Sequence, residues 1–266
     1  MRAALALLLL AAPAMAQEGS ETGKIGGTQD DAPPEVSPQP EPRPDPEDQL
    51  PPEEPMADDS GAVEADAETV GLGVFSELAE PDETFAACVA DLEALGAVFS
   101  VVEEPIRADD PDCGIARPIT VTEVIPGIAF APAATVRCET ALAAARWVST
   151  HVEPASRAVG RGTLASLELG GSYQCRRRNN AATGKLSEHS FGNALDVMAF
   201  TFTEGDPIRV EPREDEGTLA EAFQRSARAT SCLHFTTVLG PGTDATREDH
   251  LHMDVKARRG DYRICQ

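Results

Sequence analysis

All six cysteines of this 266-residue chain fall between residues 88 and 265. An even count is typical of a disulfide framework in an exported chain, and the lack of any C-x-x-C pair disfavours the alternative, a cysteine zinc site. Six cysteines allow fifteen pairings, which sequence alone does not resolve. Proximity along the chain favours one set of three bridges: Cys88–Cys113, Cys138–Cys175 and Cys232–Cys265. The cysteines place the folded domain at about residues 84–266, a length that suits one globular domain.

The N-terminal sequence "MRAALALLLLAAPAMAQ" is typical of a secretory signal peptide. Arg2 gives a short positive region, and residues 3–12 form an apolar run too short to span a bilayer. The Ala-Met-Ala motif before Gln17 fits the rule for signal cleavage, so residues 1–16 are predicted to be removed. The alternative is an uncleaved membrane anchor. We expect an exported protein, in the periplasm or outside the cell, with no transmembrane segment after cleavage.

Residues 17–83 are acidic and rich in proline. They hold 20 of the 45 acidic residues but only 2 of the 22 basic ones. Such a composition cannot bury enough apolar surface to offset its ordering entropy, which predicts a disordered linker. A spacer is the favoured interpretation, and a docking arm for a basic partner is the alternative. Neither this segment nor the domain carries net positive charge, which argues against nucleic-acid binding.

Helical and strand-like periodicities are mixed along the domain without regular βαβ alternation. Helices are predicted at 84–95, 138–160 and 218–233, with Pro154 breaking or kinking the second. A polar loop is predicted at 176–190, and strands at 97–102, 114–124, 163–175, 193–202, 234–240 and 250–255. This order indicates an α+β fold with a small antiparallel sheet flanked by helices and stabilised by disulfides.

Two short segments, "SEHSFGNALDVMAF" and "EDHLHMDV", contain three of the five histidines. On a strand, His250 and His252 share one face, and the apolar residues between and after them take the other. If the two segments form neighbouring strands, Asp196 and His252 lie a few ångströms apart. The turn containing Gly192, which permits a conformation that other residues resist, would bring His189 to the same point.

Two imidazoles and one carboxylate are a ligand set typical of a catalytic zinc (Zn2+), which keeps a fourth position for water. His250, beside His252 on the same face, then suits the role of general acid and base. A structural zinc would be closed by a fourth protein ligand, for which three residues are available: Asp249, Asp254 and His234. A polar strand face without a metal is the remaining alternative.

The pattern Ser187-x-His189-x-x-Gly192-x-Ala194-x-Asp196, followed by His250-x-His252, resembles the zinc site of the lysostaphin / D-Ala-D-Ala metallopeptidase group. A closer resemblance is to the bacterial extensin-like C-terminal domain family. The blocks "GSYQCRRRN", "LSEHSFGNALDV", "FTTVLGPGTDA" and "DHLHMDV" are similar to blocks of that family in the same order. The resemblance covers about residues 84–266 and leaves the acidic segment outside.

The resemblance to the peptidases implies zinc-dependent attack on peptide bonds of the bacterial cell wall. It makes His189, Asp196 and His252 the metal ligands, His250 the acid/base and Arg176 a substrate-binding residue, since a guanidinium can hold a peptide carboxylate in a bidentate pair. The alternative for the three successive arginines that begin at Arg176 is a solvated charge run. The chain has "RE" before its "DH" pair, where the family commonly has a histidine, which disfavours a mechanism with a third histidine there.

Two functions of different classes are compatible with these residues. The first is an exported zinc peptidase that acts on peptidoglycan stem peptides, as a carboxypeptidase or an endopeptidase, and that we expect to be a monomer. The second is a catalytically silent, zinc-stabilised module that binds cell-wall peptide. They differ in whether a coordination position is open and whether His250 can transfer protons.

Overall fold

The computed structural model describes residues 78–243 and 247–266. Helices form in all three regions predicted to be helical, and they are named here in chain order: α1 Asp82–Ala94, α2 Cys138–Trp147, α3 Glu153–Ser156 and α4 Leu219–Ser231. The predicted signal peptide lies outside the described residues, as does the predicted linker up to residue 77. In the part of the chain that the structure describes, no helix has the length and apolar character needed to cross a membrane.

The predicted break at Pro154 is present. Between α2 and α3 the chain makes a π-helical turn at Val148–Val152, and Pro154 lies in the first turn of α3. Proline is tolerated in a first helical turn because the backbone N–H that it lacks would have no intrahelical acceptor there.

The strands are β1 Val98–Val101, β2 Ile106–Arg107, β3 Gly114–Ile115, β4 Pro118–Ile125, β5 Ile128–Arg137, β6 Leu164–Gly171, β7 Ala194–Phe202, β8 Ile208–Arg209, β9 Thr237–Leu239, β10 Leu251–Asp254 and β11 Ile264–Cys265. Nine of them form one sheet in the order β1-β4-β5-β6-β7-β10-β9-β11, with β8 beside β7. β2 and β3 form a separate pair.

The prediction of an α+β fold is confirmed, but the prediction of a small antiparallel sheet is wrong. The main sheet has nine strands and is mixed, because β5 pairs with β6 and β9 pairs with β11 in parallel. β5 and β6 can pair in parallel because a helical crossover connects them. The chain leaves β5, runs through α2 and α3, and so returns to start β6 in the same direction.

The helices and one face of the sheet share a single hydrophobic core. Trp147 at the end of α2 is fully buried, with its ring edge-on to Phe200 and Phe235 at centroid distances of 6.2 and 6.4 Å. Its indole Nε1 donates to the carbonyl of Ala227 in α4 at 3.1 Å, so the polar atom of this side chain is satisfied inside the core. This packing fixes the sheet from one side and leaves its other face for polar residues.

The prediction of three disulfides is confirmed, and two of the three favoured pairings are wrong. Cys232–Cys265 forms as predicted, whereas the other bridges are Cys88–Cys138 and Cys113–Cys175. Cys88 lies on α1, which packs against α2, so its partner is the first residue of α2 rather than Cys113. The pairings predicted from proximity along the chain were wrong because helix packing decides which cysteine Cα atoms come within about 6 Å of each other.

Candidate metal centre

The pairing of β7 with β10 places His252 opposite Asp196. The neighbouring residues Leu251 and Met253 are fully buried in the hydrophobic core. Since side chains alternate along a strand, His252 projects from the opposite face of the sheet, where the carboxylate of Asp196 also lies. The apolar residues thus anchor the strand, and the anchoring fixes the direction of the imidazole.

His189 reaches the same point from a 3-10 turn, Glu188–Phe191, that precedes β7. The turn ends at Gly192, whose φ of 68° lies in the left-handed region. A Cβ at this position would collide with the side chain of Ile115 and lie 3.1 Å from the backbone nitrogen of Arg137. Glycine is therefore required here both for backbone conformation and for space. The predicted role of this turn in bringing His189 towards Asp196 agrees with the geometry.

The ligand-type atoms of three buried side chains form a compact triangle. Nε2 of His189 lies 3.1 Å from Oδ2 of Asp196 and 3.2 Å from Nδ1 of His252. Nδ1 of His252 is 2.9 Å from Oδ1 of Asp196. These are the three residues that the sequence predicts as metal ligands, and together they offer two imidazole nitrogens and one carboxylate to one point.

Hydrogen bonds on the far side of each imidazole fix which nitrogen faces the triangle. Nδ1–H of His189 donates to the carbonyl of Ser172 at 2.6 Å, so Nε2 is the nitrogen that faces the triangle. Nε2–H of His252 donates to Asp254 at 3.3 Å, so Nδ1 is the nitrogen that faces the triangle. Partners of this kind are typical behind metal-bound histidines, where they set the tautomer and the ring orientation.

The protonation preferences of the triangle match a site for a cation. Burial alone would raise the pKa of Asp196, but hydrogen bonds from His189 and His252 outweigh it and hold that pKa far below its usual range. Burial alone would lower the pKa of His252, but its bonds with Asp196 and Asp254 outweigh it and raise that pKa. The carboxylate is therefore ionised, and a divalent cation could replace the proton that His252 tends to bind.

His250 lies beside the triangle but outside it. Its Nδ1 donates to Asp249 at 2.8 Å, and its Nε2 is 3.8 Å from Oδ1 of Asp196. The side chain is 19% exposed, so Nε2 can meet both the site and a ligand from solvent. This placement agrees with a role in proton transfer rather than in coordination.

None of the three candidates for a fourth protein ligand belongs to the triangle, and each contacts another residue. Asp254 bonds the far side of His252, Asp249 bonds His250, and the ring of His234 lies 5.3 Å from that of His151. Among the described residues, the other compact group of metal-ligand types consists of Asp110, Cys113 and Cys175. Its two sulfurs are joined in a disulfide, so they cannot act as thiolate ligands.

A cleft of about 300 Å³ opens over the triangle and is lined in part by arginines. Arg176 donates from Nε to Gln174 at 2.9 Å, and its Nη2 lies 3.8 Å from Oδ2 of Asp196. Arg178 also lines the cleft, whereas Arg177 points away to the carbonyl of Gly184. Of the three successive arginines, Arg176 and Arg178 therefore line the cleft and Arg177 does not.

Sequence reasoning missed the contributions of Arg258, Thr237 and Ser172. Arg258 lines the cleft and donates to the hydroxyl of Thr237 at 2.6 Å, and Thr237 in turn donates to Asp254 at 2.7 Å. Alternation along β10 puts Asp254 on the face of His252, but it does not identify Thr237 or Arg258, which lie outside that strand. Nothing in the local pattern indicates Ser172, because only its backbone carbonyl is used.

Comparison with known proteins gives one family. Residues 86–266 match the model of the family described as "Extensin-like protein C-terminus". Neither the curated proteins nor the solved structures gave a match. The match covers most of the chain, including every residue of the triangle and the cleft described above. The chain belongs to the extensin-like protein C-terminus family.

Proposed function

We propose that this protein is an exported zinc-dependent peptidase that acts on peptidoglycan stem peptides, related in its chemistry to the lysostaphin / D-Ala-D-Ala metallopeptidase group. The observation that carries the proposal is the buried His189–Asp196–His252 triangle, in which Nε2 of His189 and Nδ1 of His252 both face one carboxylate. Three such donors at the base of an open cleft are typical of a catalytic zinc site rather than a closed structural one.

His189, Asp196 and His252 would hold the zinc, and their donor set fits it. Imidazole nitrogen and carboxylate oxygen are both ordinary zinc ligands, and each imidazole already has the hydrogen-bond partner that a bound metal requires behind it. When bound, zinc supplies a Lewis acid that activates water and polarises a carbonyl group at neutral pH.

His250 is the acid/base in this proposal. Its Nδ1 is occupied by Asp249, so proton transfer takes place at Nε2, the nitrogen on the side of Asp196 and the cleft. A neutral imidazole there accepts a proton from the attacking water and, once protonated, donates one to the leaving amine. Asp249 accepts from Nδ1 and so keeps the ring oriented with Nε2 on the side of the cleft.

Arg176 binds a substrate carboxylate in this proposal. Its Nε bond to Gln174 holds the guanidinium at the rim of the triangle, about 4 Å from Asp196 and therefore close to where the scissile bond must lie. A carboxylate held beside the scissile bond is the C-terminal carboxylate of the substrate, which favours a carboxypeptidase over an endopeptidase.

Export is part of the proposal because of the disulfides and the N-terminal sequence. Three bridges use all six cysteines, and structural disulfides persist mainly in oxidising compartments such as the periplasm. Peptidoglycan stem peptides lie in that compartment, so enzyme and substrate would meet there.

The test uses the purified full-length protein and a panel of defined muropeptides, cross-linked and uncross-linked. Products are identified by mass spectrometry with zinc present and after chelation. We expect cleavage that is lost on chelation and returns with zinc. A fully zinc-loaded protein that binds these peptides and cleaves none of them would overturn the peptidase proposal in favour of the silent binding module.

A further inference from the structure

The cleft is rich in positive side chains, although the chain as a whole is acidic. The whole protein has a formal net charge of −23, yet four arginines line the cleft: Arg176, Arg178, Arg247 and Arg258. Arginine is the side chain best suited to planar recognition of carboxylate and phosphate groups. Low-dielectric walls concentrate the field of such a cluster, so anions are drawn to this cleft despite the acidity of the molecule.

The acidic residues in the cleft already have close partners. Asp196 faces two imidazoles, and Asp254 accepts from His252 and Thr237. Glu188 is buried and is bonded by the ammonium of Lys256. The cleft lining holds four arginines and three carboxylates, Glu188, Asp196 and Asp254, and a zinc ion in the triangle would add to the positive charge.

Arg178 and Arg258 differ from Arg176 in the contacts that hold their guanidinium groups. Arg258 is anchored by donating from Nη1 to the carbonyl of Thr236 at 2.9 Å and from Nη2 to the hydroxyl of Thr237 at 2.6 Å. These two bonds use two of its five N–H donors and hold the guanidinium in place. Arg178 is half exposed, and its contact with Glu188 is long, at 3.7 Å. Its guanidinium can therefore turn to a ligand at little cost.

We infer that Arg178 and Arg258 form a second anion-binding subsite, which selects peptides with a carboxylate in addition to the one at Arg176. This inference rests on the proposed function, because it names the substrate class of the same cleft. A stem peptide that contains diaminopimelate carries such a side-chain carboxylate, whereas the otherwise similar lysine peptide does not. The preferred substrate is thus a stem peptide of the diaminopimelate type with that carboxyl group free.

The test compares two peptides that differ in one group. One carries the free side-chain carboxylate of diaminopimelate, and the other carries the carboxamide, which has nearly the same shape and no charge. Binding is measured by titration calorimetry with full-length His250→Ala protein, so that turnover does not deplete the ligand. Charge-assisted hydrogen bonds from two arginines should make the free acid bind about tenfold more tightly or better.

Arg178→Gln should reduce this preference only modestly, by at least about threefold, because a surface charge pair contributes modestly to binding. The affinity for the carboxamide peptide should stay nearly unchanged, because that peptide has no charge with which Arg178 could pair. Arg177→Gln is the matched control: it removes the same charge from the adjacent residue, whose guanidinium bonds Gly184 outside the cleft. It should retain the full preference. Arg258→Lys keeps the charge but loses the fork geometry, and it should reduce the preference as well.

The outcomes separate this inference from the proposed function. Equal affinity for the acid and the carboxamide, or an equal loss of preference in Arg177→Gln and Arg178→Gln, would overturn the subsite and leave the peptidase proposal standing. A tenfold preference that depends on Arg178, in a protein that cleaves neither peptide, would support the subsite and overturn the peptidase.

Discussion

His252 and Asp196 lie directly opposite each other across the antiparallel pair of β10 and β7, with Nδ1 2.9 Å from Oδ1. The apolar residues on the other face of these strands set this register, because a slip of one residue would expose the core face and bury the polar one. The ligand geometry is therefore tied to the stability of the sheet itself.

The first prediction concerns metal content. Protein purified without added metal should contain one zinc per domain by elemental analysis, because three ligand atoms converge at one point. His189→Ala and Asp196→Ala should each lower the occupancy strongly. His151→Ala, which removes a histidine located beside His234, should keep it. Full zinc retention in both ligand variants would contradict the site.

The second prediction separates the two histidines of the His-x-His pair. His252→Ala should lose zinc and activity together, because Nδ1 of His252 belongs to the triangle. His250→Ala should keep zinc and the fold but lose turnover by about 10²–10⁴-fold, the usual contribution of a positioned general acid/base. Metal content and steady-state kinetics are measured on the same preparations. Wild-type turnover in His250→Ala would exclude this residue as the acid/base.

The third prediction concerns the residue behind His252. Asp254 accepts from Nε2 of His252 and is itself held by Thr237. Asp254→Asn removes the negative charge that stabilises this tautomer, so zinc affinity should fall by about 10–100-fold. Competition with a chromogenic chelator measures the change. Thr237→Ser, which keeps the hydroxyl, is the control and should retain the wild-type affinity. Unchanged affinity in Asp254→Asn would show that this partner does not tune the site.

The fourth prediction concerns the disulfides. Peptide mapping of unreduced, alkylated protein should identify Cys88–Cys138 and Cys113–Cys175 and find no free thiol. Replacing both Cys88 and Cys138 by alanine should lower the free energy of unfolding by roughly 2–5 kcal/mol, because the bridge closes a long loop. Denaturant titration measures the loss. Recovery of a Cys88–Cys113 peptide would contradict the fold of the N-terminal part.

The fifth prediction concerns pH and a histidine away from the cleft. Burial lowers the pKa of His234, and the nearby positive charges of His151, Arg146 and Arg263 lower it further. The unfolded chain has the ordinary pKa of about 6.5, so it binds more protons than the folded protein just below that pH. Stability should therefore fall as the pH drops from about 6.5 towards the lowered pKa.

His234→Gln should reduce this dependence, because it removes the group that titrates differently in the folded and unfolded states. The melting temperature is recorded between pH 5 and 8 for both proteins with zinc in excess. An identical slope in the variant and the wild type would show that other groups cause the acid sensitivity.

Local periodicity was enough to predict much of the fold and the candidate site. Helical spacing identified the regions of α1, α2 and α4, and alternation along β10 put His252 and Asp254 on one face. These features depend on contacts between residues close in the chain and on the single choice of which face meets the core. Alternation also predicted the strand faces of Asp196 and His252, but their approach depended on the pairing of β7 with β10.

Other features could not be read from local patterns. β5 lacks a clear strand pattern because Pro132 and several alanines weaken its strand propensity, although the Pro126–Gly127 turn before it is a recognisable signal. The sheet is mixed because a helical crossover returns the chain parallel to β5 and because β11 pairs in parallel with β9. Neither feature follows from the composition of any single segment.

The disulfide count and the helical regions follow from residue type and short-range spacing, and strand alternation together with the family resemblance identified the residues of the triangle. Four features depend on long-range packing: the pairing of β7 with β10, the Cys88–Cys138 bridge, the different directions of Arg176 and Arg177, and the carbonyl of Ser172 behind His189. Each of these depends on which distant segments pack together, and that packing is set by the summed burial of the core rather than by any local pattern.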